Sequence, residues 1–239
     1  MTLAEAPRTL VSTREALHQL AFYAIAPARY KAMGRMGLRP IPNGFGTPVF
    51  DGRMAAVRDD ILVYEENGAV ATRTIGTIRE AAEFFGVRYE QEWFSDFYDP
   101  LPPADPDQPL DVDVGAVRFL AEWFEFGFEV LDQLSRRGSR GDDVSEAQLW
   151  PEHFDAAIEM GAHDKGQRAS FGASPGDADP PLPYLYVAAW SDIDRAHTFW
   201  NDTSFNGASL GYADLRAADE PQTRSLEFLL EGYRVLHSA

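Results

Sequence analysis

The chain has 239 residues, and its 38 acidic side chains outnumber 21 basic ones to give a formal net charge of −17. Such a charge repels polyanions, so we expect no nucleic-acid partner and no binding to anionic membranes. With 45% hydrophobic residues, the composition excludes global disorder. The absence of cysteine excludes disulfides, thiolate nucleophiles and cysteine-ligated metals.

No segment of the sequence has the pattern of a targeting signal or a membrane anchor. The first residues lack the basic and then apolar stretches of a signal peptide, and no run approaches the ~20 apolar residues of a spanning helix. We therefore expect a cytoplasmic protein.

The N-terminal region is basic and predicted to be helical. Residues 1–46 carry six basic side chains against two acidic ones. The Ser-Thr-Arg-Glu sequence at residues 12–15 fits a capping box, so a helix should begin there. Pro27 should end or kink that helix and begin a second one that runs to about Met36. Residues 37–48 contain three prolines and three glycines, which predicts a loop.

An antiparallel meander is predicted next, followed by a short helix. Asn67-Gly68, a pair that favours tight hairpin turns, separates two β-prone runs. The β-prone runs cover residues 53–57, 61–65 and 69–74. The helix is predicted over residues 77–85, with Thr77 as its cap.

Residues 89–113 interrupt the pattern of predicted elements. They hold eight carboxylates, no basic side chain and five prolines, so we interpret them as a solvated linker. The chain is predicted to be a single domain over residues 1–239, in which the linker would separate subdomains 1–99 and 111–239. The aspartates lack the spacing of an EF-hand loop, and Asp111 or Asp113 suits the cap of the next helix.

The second half is predicted to contain a central helix and a second meander. Residues 114–134 have apolar and aromatic side chains around most of a helix circumference, which predicts a buried helix. Further β-like segments cover residues 148–158, 167–173, 184–190 and 208–212, and a closing helix covers 221–236. The predicted fold class is α+β, with a mixed or mostly antiparallel sheet from two meanders, packed on the central helix, with the terminal helices outside. No Rossmann or P-loop fingerprint identifies a cofactor.

Residues 172–176 match the letters of the G-x-S-x-G nucleophile elbow. In that elbow the residue after the serine donates its backbone N–H to an oxyanion and opens a helix. Pro175 has no N–H, and three prolines between residues 177 and 183 preclude the helix. A Ser-Pro-Gly-Asp turn is the better interpretation.

The sequence LWPEHFD, residues 149–155, is the strongest candidate for chemistry. In an extended strand, His153 and Asp155 point to one face and could form an acid/base pair, since a carboxylate orients an imidazole. The candidate catalytic residues are therefore His153, Asp155 and Asp177. The alternative is that His153 is a structural hydrogen-bonding residue. No metal site is predicted, because no further ligands have motif spacing.

Aromatic residues in the second meander suggest either a core or a ligand cleft. Trp150, Tyr184 and Tyr186 supply the apolar walls and polar tips typical of small-molecule pockets. If Arg35 or Arg39 closed such a cleft, an anionic ligand would meet the one basic region of the chain. These five residues are the predicted ligand-binding set.

The order of several short motifs resembles a known protein family. LWPEHFD, SPGD and PYLYVAAW, followed by Trp-Asn and Gly-Ala-Ser-Leu, resemble an uncharacterised actinobacterial family, a domain of unknown function. The resemblance is strongest over residues 148–214 and extends more weakly to the N-terminal and central helices. It implies a single folded unit and brings no activity, cofactor or catalytic residue.

Two classes of function remain open from the sequence. The first is a binding protein or enzyme for a small anionic molecule, with an aromatic-lined site around the LWPEHFD strand. The second is an interaction or structural module whose acidic surface meets a basic partner.

Overall fold

Two five-stranded antiparallel sheets and six α-helices form the part of the chain that the structure, a computed structural model, describes: residues 2–93 and 104–238. The chain divides into two compact units. The N-terminal unit comprises Ala6–Glu122 and Leu149–Phe154, and the C-terminal unit comprises Met1–Glu5, Trp123–Gln148 and Asp155–Ala239. The predicted α+β class is confirmed, and each meander forms a sheet of its own.

The predicted domain organisation stays a prediction. Residues 94–103 of the predicted linker lie outside the described residues. In the described remainder of the linker, Asp107 pairs with Arg79 at 2.6 Å, and Asp113 Oδ1 accepts a hydrogen bond from the N–H of Ala116 at 2.9 Å. The prediction that Asp111 or Asp113 caps the central helix is thus confirmed for Asp113.

The N-terminal unit begins with two helices joined by a π-helical turn. Helix α1 covers Leu10–Leu20, the π turn Ala21–Ile25, and helix α2 Ala26–Met33. The predicted capping box at residues 12–15 is wrong, because α1 begins at Leu10, which is buried, and Ser12 lies inside the helix. Pro27 lies in the first turn of α2 as predicted, where its missing N–H costs no helical hydrogen bond.

The first sheet has the strand order β1-β2-β3-β4-β5. Its strands are β1 Arg39–Ile41, β2 Gly44–Gly46, β3 Arg53–Arg58, β4 Ile61–Glu66 and β5 Ala69–Thr74. The Asn67-Gly68 hairpin is confirmed, since both residues have positive φ angles, 50° and 86°. Helix α3, Ile78–Phe84, follows with Thr77 as its cap, as predicted.

The loop predicted over residues 37–48 is wrong, because β1 and β2 form a hairpin there. The glycines serve a close approach between strands rather than a flexible loop. A Cβ atom on Gly44 would lie 1.9 Å from the carbonyl oxygen of Val57, and one on Gly46 would lie 2.5 Å from the Cβ of Ala56. Only glycine lets β2 pair so closely with β3.

The second sheet has the order β10-β9-β8-β7-β6. Its strands are β6 Gln148–Trp150, β7 Asp155–Met160, β8 Ala169–Ser174, β9 Tyr184–Ala189 and β10 Gly207–Gly211. The central helix α4 covers Val114–Ser135 and continues from the N-terminal into the C-terminal unit. Helices α5, Tyr212–Ala217, and α6, Pro221–Ser238, complete the chain order.

In the C-terminal unit, α4 packs closely on one face of the second sheet. A Cβ atom on Gly127 would lie 2.7 Å from the Cβ of Ala173 on β8. Trp123 donates its indole N–H to the carbonyl of Ser174 at 2.8 Å and contacts Tyr212 edge-on at 5.6 Å. The aromatic residues of this part of α4 therefore form core, as predicted.

His18 lies in an apolar part of the N-terminal unit. Its ring stacks on Phe154, with ring centroids 5.5 Å apart, and its Nε2 donates to the carbonyl of Glu152 at 3.1 Å. Burial lowers the pKa of His18 to about 4, and the hydrogen bonds to the backbone only partly oppose this effect.

We predict that His18 makes the protein less stable as the pH falls from about 6.5 to 4. The unfolded chain takes up a proton on this imidazole near its ordinary pKa, whereas the folded protein excludes it until about pH 4. The stability contribution is therefore present above pH 6.5 and lost below it, by up to about 1.4 kcal/mol per pH unit. Denaturant unfolding across this pH range should show that the free energy of unfolding falls less steeply with pH in His18→Gln than in the wild type. His163→Gln, at an exposed histidine, should keep the wild-type dependence of the free energy of unfolding on pH. The same pH dependence in all three proteins would contradict the role given to His18.

Asp142 anchors helix α6 within the C-terminal unit. Its side chain is buried and accepts hydrogen bonds from the Tyr233 hydroxyl at 2.8 Å, from His237 Nε2 at 3.1 Å and from the N–H of Ser139. Burial raises the pKa of Asp142, but these hydrogen bonds outweigh it and hold the pKa below its ordinary value.

We expect Asp142→Asn to lower the free energy of unfolding by about 1–3 kcal/mol at pH 7, because it weakens charge-assisted hydrogen bonds to a buried carboxylate. A depressed carboxyl pKa stabilises the fold above about pH 4 and ceases to do so below it. The difference in the free energy of unfolding between Asp142→Asn and the wild type should therefore shrink as the pH falls below about 4. Urea unfolding checks this, with the exposed Asp132→Asn as the matched control at less than about 1 kcal/mol. A pH-independent difference would contradict the account.

Candidate functional site

Four of the predicted site residues meet on one face of the second sheet. Tyr184 and Tyr186 are two positions apart on β9, so their side chains point to the same face. The Tyr186 hydroxyl donates to Asp155 Oδ2, and the Tyr184 hydroxyl donates to Asp177 Oδ2 at 2.5 Å. The two ring centroids are 6.2 Å apart. We call Asp155, Asp177, Tyr184 and Tyr186 the tyrosine–aspartate cluster.

Gly172 makes the inner pair of this cluster, Tyr186 and Asp155, possible. On β8 it lies opposite Tyr186 of β9 and opposite Ala157 of β7. The Tyr186 ring must cross β8 to reach Asp155 on β7, because strands two apart in a sheet are separated by about 10 Å. A Cβ atom on Gly172 would lie 2.4 Å from Cζ of Tyr186. The absence of a side chain at this position leaves the path for the ring.

The Ser-Pro-Gly-Asp turn positions the outer pair of the cluster, Tyr184 and Asp177. Ser174 ends β8 opposite Tyr184, and its hydroxyl is buried and accepts from the N–H of Gly176 at 3.1 Å. Gly176 has a φ of 100°, as a type II turn requires. Residues 175–183 form no helix, so this segment lacks the geometry of a nucleophile elbow. The turn instead presents Asp177 to Tyr184.

Both phenols of the cluster stay protonated at neutral pH. Burial, and then the adjacent Asp155 carboxylate, raise the pKa of Tyr186 well above its ordinary value. Burial and the hydrogen bond to Asp177 likewise raise the pKa of Tyr184. Neither tyrosine can therefore act as a general base near pH 7. Each serves as a donor that orients a carboxylate.

The two carboxylates of the cluster differ in their exposure to solvent. Asp177 is exposed and Tyr184 is half-buried. Asp155 is only 5% exposed. Phe205 extends the aromatic surface, with its ring centroid 6.2 Å from that of Tyr186. A ligand from solvent would thus meet the Tyr184–Asp177 pair first.

The other predicted site residues belong to the N-terminal unit. They are Trp150, half-buried at the end of β6; His153, exposed; Arg35, exposed after α2; and Arg39, exposed at the start of β1. The prediction of one extended strand through His153 and Asp155 is wrong, because residues 151–154 form a turn in which Phe154 has a φ of 53°. Pro151, which lacks an N–H, is compatible with this break.

Gly172 was not predicted as a site residue from the sequence. Its signal was present, because a glycine in a strand interior often marks a close approach of another group. The pairing register needed to place Tyr186 opposite Gly172 was not available from the sequence.

Residues 2–93 and 104–238 contain no group of three or more histidine, aspartate or glutamate side chains arranged to hold a metal ion. None of the helices within these ranges combines the length and the apolar character that a bilayer crossing needs.

We predict that Gly172→Ala destabilises the protein by about 1–3 kcal/mol, because the new methyl group collides with the Tyr186 ring in a closely packed sheet. Gly211→Ala is the control, since a Cβ atom there would have its nearest neighbour at 4.0 Å and the φ angle of −71° suits alanine. Thermal or urea unfolding of both variants checks the prediction. A Gly172 variant as stable as the Gly211 variant would show that the ring does not depend on this gap.

The resemblance to an actinobacterial family stays a prediction. A comparison of the chain with known proteins finds no matching protein family, no matching curated protein and no matching solved structure.

Proposed function

We propose that the protein binds a small organic cation at the tyrosine–aspartate cluster. The observation that carries the proposal is the pair of phenol–carboxylate hydrogen bonds, Tyr184–Asp177 and Tyr186–Asp155, on adjacent aromatic rings of one sheet face. Aromatic faces attract cations through their quadrupoles. Carboxylates held beside those faces add a compensating charge.

The chemistry of the cluster favours a cation over the anion expected from the sequence. Its four members include two carboxylates and no basic side chain. The protonated phenols donate to the carboxylates and fix their orientation, and the Asp177 carboxylate of the outer pair is exposed to solvent. The net charge of −17 also attracts cations to the whole surface. Arg35 and Arg39, the basis of the anion prediction, are not members of the cluster.

The exposure gradient indicates how such a ligand would enter. The outer pair faces solvent, whereas Asp155 is buried. A cationic head group would lose part of its hydration at the outer pair, and cation–π attraction strengthens as water is excluded. The buried Asp155 lies further along the same face of the sheet, where it accepts the hydrogen bond from Tyr186.

Calorimetric titration with choline tests this proposal, with 3,3-dimethylbutan-1-ol as the neutral probe of the same shape. We expect choline to bind and the neutral probe to bind at least about 10-fold more weakly, since only the cation gains cation–π and carboxylate attraction. Asp177→Asn should weaken choline binding roughly 5-fold or more, because it removes the exposed charge of the cluster.

Asp219→Asn is the matched control, because Asp219 is an exposed aspartate of the same unit outside the cluster. It should bind choline like the wild type. Equal binding of choline and the neutral probe, or no binding of choline, would contradict the proposal. A third outcome is that the protein binds polylysine but not choline, and that Asp177→Asn and Asp219→Asn weaken polylysine binding equally. This outcome would support the acidic interaction module instead.

A further inference from the structure

A second candidate site is a cleft of about 440 Å³ in the C-terminal unit, which shares no residue with the tyrosine–aspartate cluster. Its walls come from the segment after β9, from the last turns of α6 and from Gly166. This volume lies in the range of small-molecule pockets.

One part of the cleft is apolar and held firmly in place. Trp200 and Leu236 line it while being only 7% and 6% exposed. Phe199 supports the indole, since its ring centroid lies 4.9 Å from that of Trp200 and 5.4 Å from that of Phe228 on α6. A hydrocarbon group could therefore bind on a preformed surface.

Arg234 supplies a cation to the same cleft. In the described ranges, its guanidinium makes no ion pair and no hydrogen bond. Five other arginines do pair with carboxylates in this acidic chain: Arg53, Arg79, Arg118, Arg136 and Arg168. A guanidinium without a protein partner on a cleft wall is suited to bidentate binding of a ligand carboxylate.

His197 supplies a second donor. The backbone N–H of Phe199 donates to Nδ1 of His197 at 3.2 Å. The neutral ring then carries its proton on Nε2. His197 lines the cleft and is exposed, so this N–H is available to an acceptor on a ligand.

Carboxylates complete the lining. Asp192, Asp194 and Glu231 all face the cleft. Asp194 Oδ1 accepts from the N–H of Ala196 at 2.9 Å, which fixes the orientation of that side chain. With three carboxylates against one guanidinium, a ligand that carries only a negative charge meets net repulsion. A ligand that carries only a positive charge leaves Arg234 without a partner.

We propose that this cleft binds an α-amino acid with an apolar side chain. Arg234 and His197 take the ligand carboxylate, Asp192 and Asp194 take the ammonium group, and Trp200 and Leu236 hold the hydrocarbon. This combination satisfies both signs of charge and the apolar wall with one ligand class.

Three probes of one shape test the proposal: leucine, 3-methylbutylamine, which lacks the carboxylate, and 4-methylpentanoate, which lacks the ammonium group. Calorimetry gives the affinity, and the indole N–H resonance of Trp200, assigned with Trp200→Phe, reports binding at the cleft. We expect leucine to bind at least about 10-fold more tightly than either analogue, because each analogue loses one charge-assisted interaction.

Arg234→Gln should lower the affinity for leucine to that of 3-methylbutylamine. The control is Arg224→Gln, at an exposed arginine earlier on α6, which should leave the affinity for leucine unchanged. Asp177→Asn should leave the affinity for leucine unchanged, because Asp177 does not line this cleft. A negative result with leucine at the cleft can therefore be told apart from a negative result with choline at the tyrosine–aspartate cluster. The proposal is overturned if leucine does not bind, if the amine binds as tightly as leucine, or if Arg234→Gln has no effect.

Discussion

The crossing of Tyr186 over Gly172 is the contact on which the tyrosine–aspartate cluster depends. It lets a phenol on β9 donate to Asp155 on β7, two strands away. The buried Asp155 carboxyl group thereby gains a hydrogen bond, which a buried polar group requires. Burial and the adjacent Asp155 carboxylate raise the pKa of the Tyr186 phenol, so this phenol stays protonated and acts as the donor of the pair. The Tyr184–Asp177 pair, of which Asp177 is exposed, repeats the same type of hydrogen bond nearer to solvent.

Local patterns predicted much of the fold, because their determinants lie close together in sequence. Asn67-Gly68 favours the positive φ angles of a tight turn wherever it occurs, and Asp113 can cap a helix with its own carboxylate. The β-like run predicted over residues 184–190 forms strand β9, in which Tyr184 and Tyr186 lie two positions apart and share one face. Glycine was ambiguous, since the composition that suggests a loop in residues 37–48 also permits the close pairing of β2 with β3.

The site was only partly predictable, because its contacts are non-local. Asp155 and Tyr186 are separated by 31 positions, and their pairing depends on a strand register that composition does not encode. The turn at residues 151–154 separates the environments of His153 and Asp155, although alternation in an extended strand would join them. The cleft has no local motif either, since a loop after β9 and the end of α6 build it together. Charge placement along the chain likewise suggested an anionic ligand, whereas the assembled cluster contains only carboxylates and phenols.

We propose above all that a cation binds against Tyr184 beside Asp177. The most direct measurement is a choline titration monitored by the aromatic ring resonances of tyrosine, with Tyr184 assigned by Tyr184→Phe. We expect the Tyr184 resonance to shift and saturate together with an upfield shift of the choline methyl protons, which the ring current of a facing aromatic ring would cause. A titration that leaves Tyr184 unchanged while other tyrosines shift would contradict it.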